Sequence, residues 1–190
     1  MMKRYNPRNI RGIFRANEGI SAVEFALIAP LMMLIYFACI ELSFMMALDR
    51  KVTTSTATLG DLTARASVVS DADLDDIFQA TRMIFQPSDV KKARMRISSL
   101  FEDKGKVKVA WSDGCGLPSY TANQEVAIPS NLVPTGGSVI YAEIEYDYDS
   151  VLGYFFTTTK TLKDKFYLRP RRVDFIDRQR NGAYGCDILK

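Results

Sequence analysis

A single carboxylate, Glu24, stands where a long apolar run begins. Gly19, Ile20, Ser21, Ala22 and Val23 lead into Glu24 and Phe25, and from Phe25 to Ile40 every residue is apolar or aromatic. After one more acid, Glu41, the run resumes from Leu42 to Leu48. An acid in an apolar segment of this kind costs about 3 kcal/mol to place in hydrocarbon unless something compensates it, so Glu24 points to a specific use. Other chemistry-bearing patterns are weak. The chain has no histidine, which removes Ser-His-Asp and Cys-His nucleophile pairs and histidine-based zinc sites together. Cys39, Cys115 and Cys186 lack the Cys-x-x-Cys spacing of zinc knuckles and thiol oxidoreductases. Asp71, Asp73 and Asp75 open like a calcium-binding loop, but Asp76 stands where that loop needs glycine and Arg82 where it needs a bidentate glutamate. The alternating acids Glu143, Glu145, Asp147 and Asp149 read as the solvated face of a strand rather than a metal or catalytic cluster. No catalytic residue, metal or cofactor is expected.

The elements that must position Glu24 follow from charge and length. The run from residue 20 to 48 is long enough to cross a hydrocarbon layer of about 30 Å as a helix. Ahead of it, residues 1–19 hold Lys3, Arg4, Arg8, Arg11 and Arg15 against Glu18. Of 25 bases and 22 acids in the chain, removing those five and that one leaves 20 against 21, so the formal +3 becomes −1 without the leader. The positive charge is therefore a cytoplasmic flank of a membrane helix, not a nucleic-acid surface. Three segments result: a basic leader, 1–19; a transmembrane helix, 20–48; and a domain outside the cytoplasm, 49–190. Cys115 and Cys186 would then share an oxidising compartment, which suggests a disulfide closing about 70 residues and contributing about 4 kcal/mol on a chain-entropy account. The alternative is two buried free thiols. Cys39 falls in the membrane run, and Phe37 before it is too bulky for a lipoprotein cleavage site.

Glycine at 19, glutamate five residues later and phenylalanine next resemble the processing site of type IV prepilins. The longer stretch from Glu18 to Leu31, with Ile40, Glu41 and Leu42 beyond it, is similar to the TadE/TadF-type minor pilins of tight-adherence (Flp) pili. That resemblance implies cleavage by a prepilin peptidase after Gly19, with Ile20 as the new N-terminus, and assembly contacts through Glu24 and Phe25. It implies a non-enzymatic pilus component of the inner membrane and periplasm, able to enter the extracellular pilus. Its partners would be other minor pilins, the major pilin and the pilus assembly platform. The alternative is an uncleaved single-pass scaffold of a pilus or secretion machine. Glu41 reads either as an interfacial acid or as an intramembrane contact between neighbouring helices.

Beyond Asp49 the helical period persists through Leu48, Val52, Ser55, Leu59, Leu62, Ala66 and Val69, predicting one helix from about 20 to 69, softened at Gly60 and kinked at Pro30. Ser70 or Asp71 caps a second helix that Pro87 ends. Strands follow. Ala93, Met95 and Ile97 alternate with Lys92, Arg94 and Arg96, then Val107, Val109 and Trp111 with Lys106 and Lys108, after a turn at Gly105. Residues 112–138 read as irregular. Ile140 to Tyr148 and 159–169 complete about four antiparallel strands, the last with Leu162, Phe166 and Leu168 facing inward. The acidic strand belongs near the basic hairpin, because opposite charges attract across a sheet. The fold is α+β and pilin-like, and the sheet covers the apolar stripe of the long helix. Tyr154, Phe155 and Phe156 lie between the last strands and read either as core or as an interface with a partner pilin or membrane.

Overall fold

The computed structural model describes residues 18–129, 132–150, 153, 159–182 and 186, and its architecture is α+β. Helix α1 (Glu18–Ala64), strand β1 (Val68–Val69) and helix α2 (Asp71–Met83) come first, followed by a 3-10 turn at Val90–Lys92. The strands β2 (Ala93–Asp103), β3 (Lys106–Cys115), β4 (Ser138–Tyr148), β5 (Lys160–Leu168) and β6 (Asp177–Arg178) complete the order. Tyr154, Phe155 and Phe156 lie outside the described residues.

The chain divides between Ser43 and Phe44 into two units. In the first, α1 is long and apolar enough to cross a membrane and continues past Pro30. Its side chains point outward: Phe25 is 68% exposed and Leu27 76%. That is the reverse of a water-soluble helix, whose apolar residues seek a core.

In the second unit the same helix becomes amphipathic. Leu48, Val52, Leu59 and Ala64 are buried with Leu74 and Phe78 of α2 and with Ala93, Met95, Ile97, Ile140, Ala142 and Ile144 of the sheet, in one core. Gly60 makes close approach possible, since a Cβ there would lie 2.5 Å from Leu168 Cδ1 and 3.5 Å from Ala142 Cβ. It is a packing residue, not a soft point. Threonines of α1 donate back to the preceding turn, Thr56 to the Val52 carbonyl and Thr63 to the Leu59 carbonyl, each at 2.8–2.9 Å.

The helix ends at Ala64, five residues before the predicted end at Val69. The apolar spacing of Ala66 and Val69 suits burial in either conformation, and tertiary partners decide between them. The Arg171 N–H donates to the Ala64 carbonyl at 2.9 Å, capping the helix, and Val68–Val69 pairs in parallel with Asp177–Arg178. Ser70, not Asp71, caps α2: it accepts from the Asp73 N–H, and Asp73 accepts in return from the Ser70 N–H. Beyond the end of α2, Lys51 Nζ donates to the Phe85 and Gln86 carbonyls at 3.3 and 2.8 Å.

The main sheet has the order β3-β2-β4-β5, antiparallel throughout. The acidic strand β4 therefore sits between two basic ones. Its inner residues Ile140, Ala142, Ile144, Tyr146 and Tyr148 are buried as the alternation requires. The acidic outer face grades from exposed at Asp149, through half-buried Asp147 and Glu145, to buried at Glu143. Glu143 is only 6% exposed, because Arg94 and Arg96 of β2 and Lys163 and Lys165 of β5 close over the carboxylates from both sides. Phe166 also departs from expectation. It pairs with Ala142 in register but is 36% exposed at the sheet edge.

Part of the stretch read as irregular is ordered against the sheet. Val109 N–H donates to the Gln124 carbonyl and Val126 N–H to the Val107 carbonyl, each at 3.0 Å, so residues 123–126 cover the outer edge of β3. Leu100, Val109 and Tyr141 form a second small core on the outer face, against Tyr120, Val126, Ile128 and Tyr167.

Candidate processing and assembly site

Helical hydrogen bonding begins at Glu18, which puts Gly19 in the first turn of α1 and Ile20 at its outset. Ile20 and Glu24 are four residues apart, hence neighbours on one face, and both are exposed. Phe25 is exposed beside them. The start of α1 thus combines a glycine in the first turn with a carboxylate one turn on from Ile20, and from Phe25 to Ile40 the helix carries only apolar or aromatic residues. A new ammonium at Ile20 would lie one turn from a carboxylate. Glu41 behaves differently, being wholly buried.

The second group of predicted residues is on the other unit. Cys115 and Cys186 are joined, with Cα atoms 5.3 Å apart and a sequence separation of 71. The bridge fastens the end of a strap whose described residues are 171–182 and 186. Along the strap, Ser138 donates through N–H and Oγ to the Asp174 carbonyl, and Trp111 Nε1 donates to the Ile176 carbonyl at 2.7 Å. Arg178 follows, its side chain 3% exposed, paired with Asp71 of α2 and, at 2.8 Å, with Asp113 of β3. Burial alone would lower the Arg178 pKa, but hydrogen bonds to Asp113 and Asp71 outweigh it and raise the value. The Arg178 hydrogen bond, joined by the Asn181 N–H, holds Asp71 below the usual carboxylate range. Asp73 is lowered too, by the Ser70 hydroxyl and N–H.

The outer face of the sheet carries a further set of ion pairs. Arg96 lies 2.6 Å from Glu143, donates to the Tyr120 hydroxyl at 2.6 Å, and stacks over the Tyr120 ring 3.7 Å from its centre. Tyr141 donates to Glu143 at 2.7 Å, and burial followed by this bond to a carboxylate pushes its phenol pKa up. At the strand end, Lys92 pairs with Asp149, raising the lysine and lowering the acid. These residues are consumed by one another. Among the described residues no group of His, Cys, Asp or Glu is arranged to hold a metal. Sequence reading missed Arg178 and Arg82 as buried cations. No spacing or pattern in the sequence marked either one.

A helix long and apolar enough to span a membrane, leading into an α+β unit with a second helix and an antiparallel four-stranded sheet, is the pilin-like architecture the sequence predicts. Residues 19–58 match the family model described as TadE-like protein, so the match begins at Gly19 and covers the helix that carries Glu24. No curated protein and no solved structure matches the chain.

Proposed function

We propose that the protein is a minor pilin, or pseudopilin, of a tight-adherence pilus, made as a precursor and cut after Gly19 by a prepilin peptidase. The observation that carries the reading is the placement of Gly19 and Glu24 in the first turns of an outward-facing apolar helix, at the start of the TadE-like segment. Residues 1–19 are then a cytoplasmic leader, 20–48 the membrane anchor, and 49–190 a periplasmic domain. Cleavage leaves an ammonium on Ile20. In hydrocarbon that ion needs a counter-charge, and Glu24, its own or a neighbour's, supplies one. Two subunits that exchange these charges gain a fixed register for their helices. Other minor pilins, the major pilin and the assembly platform are the partners this chemistry serves.

The test is bulk at the cleaved bond. Gly19→Val in the native host should leave full-length precursor in the membrane, while the parent chain is shorter by the mass of residues 1–19. Equal processing of both would refute the cleavage site and favour an uncut scaffold.

A further inference from the structure

Arg82, in the last turn of α2, ends its side chain on the disulfide. Its Nη2 contacts Cys115 Sγ and lies 3.5 Å from Cys186 Sγ. A disulfide sulfur is a weak acceptor and carries no charge to balance a guanidinium. Among the described residues the rest of the surroundings do little more for this cation. Its Nε is buried without a hydrogen-bond partner among the described residues. Burial lowers its pKa, and among the described carboxylates Asp75 acts against that and only partly offsets it. The oxidised bridge therefore leaves a partly buried cation poorly compensated, whereas a thiolate at Cys115 would complete a charge-assisted contact.

The two sulfurs also differ in access. Cys115, at the end of β3, is wholly buried, whereas Cys186, on the strap, is half-buried. An incoming nucleophile meets Cys186 first. The cation meanwhile waits at the other sulfur.

We propose that the Cys115–Cys186 bridge is a polarised thiol-exchange site, in which the thiolate of a dithiol attacks Cys186 and Cys115 leaves as a thiolate held by Arg82. A bond forms between the incoming sulfur and Cys186, the Cys115–Cys186 bond breaks, and its electron pair stays on Cys115. The second thiol of the dithiol, giving its proton to solvent, then attacks the first, and Cys186 departs and is protonated from solvent. Two electrons have passed from the dithiol to the bridge. Run backwards, the same path forms the bridge: an oxidised dithiol loads Cys186, and the Cys115 thiolate displaces it. Either direction leaves the strap anchored at Trp111, Ser138, Asp71 and Asp113, so only its end, at Cys186, is released. This role is independent of pilus assembly.

The experiment uses the full-length chain in detergent. Glutathione is added briefly, free thiols are alkylated with iodoacetamide, and the peptides are mapped by mass. Glutathione should sit on Cys186 and the alkyl group on Cys115. Reduction by dithiothreitol should be slowed about tenfold in Arg82→Met, because a leaving thiol of higher pKa departs more slowly, and should be largely restored in Arg82→Lys. The mapping needs no variant, so it decides the matter even if Arg82→Met misfolds. Glutathione on Cys115, no adduct at either sulfur, or an Arg82→Met bridge that opens as fast as the parent's would overturn the assignment.

Discussion

Glu143 shows how far charge pattern can be read and where it stops. Its place in an alternating acidic strand, and the attraction of that strand for a basic one, follow from the sequence. Its burial does not, because alternation shows that acids share a face without showing what covers the face. Register supplies the answer: Arg96 and Lys165 are the residues opposite Glu143 on the two flanking strands. Truncating one member of this pair strands the other. Glu143→Ala should cost about 3 kcal/mol of unfolding free energy in denaturant titration, while the double change to Glu143→Leu with Arg96→Met should cost far less. Equal losses would show that the pair is no more than surface decoration. Asp71 makes a prediction in pH. Its folded pKa lies below the ordinary 3.8, so the stability it contributes is present above that value and fades as pH falls through the depressed one. Asp71→Asn should therefore be less stable than the parent at neutral pH, and the gap should close as pH falls below the ordinary carboxylate range. A gap unchanged with pH would mean that the Arg178 contact is not electrostatic.

At the scale of elements, α1 is the part most legible in the sequence and also the place where the period misleads. Apolar steps of three and four identify the buried face through Ala64, and they continue past the true helix end because Ala66 packs against the core and Val69 is buried outside the helix too. What stops the helix is Arg171, more than a hundred residues away, through its N–H on Ala64 and its guanidinium on Asp61. No local signal announces that partner. Gly60 was visible only as a weak helix former, and its use depends on Leu168 and Ala142 of strands that cross the helix there. Gly60→Ala needs only the end of a leucine side chain to move and gains helix propensity, so it should change stability by less than about 1 kcal/mol. Gly60→Leu has no such room and should cost about 1–3 kcal/mol, read by thermal melting of the full chain in detergent. Equal melting of the two variants would contradict the close packing of α1 on the sheet.

The whole molecule joins a helix that shows apolar side chains outward to a unit that buries them, and this change of habit along one helix is what a membrane boundary requires. The apolar run from Phe25 to Leu48 was plain in the sequence. The covering of the strap and the edge of β3 was not, because glycine and proline spacing reports turns and not the backbone bonds made between them. If Glu24 is the counter-charge of a processed Ile20, Glu24→Ala should still be cut and held in the membrane, yet should fail to co-purify with fellow pilins from crosslinked cells. Normal pilus formation by that variant would remove the electrostatic register. All of this presupposes a cleaved chain. The direct measurement is the intact mass and N-terminal residue of the protein extracted from membranes of its native host: Ile20 is the result the account predicts, and a chain still beginning at Met1 or Met2 would contradict it.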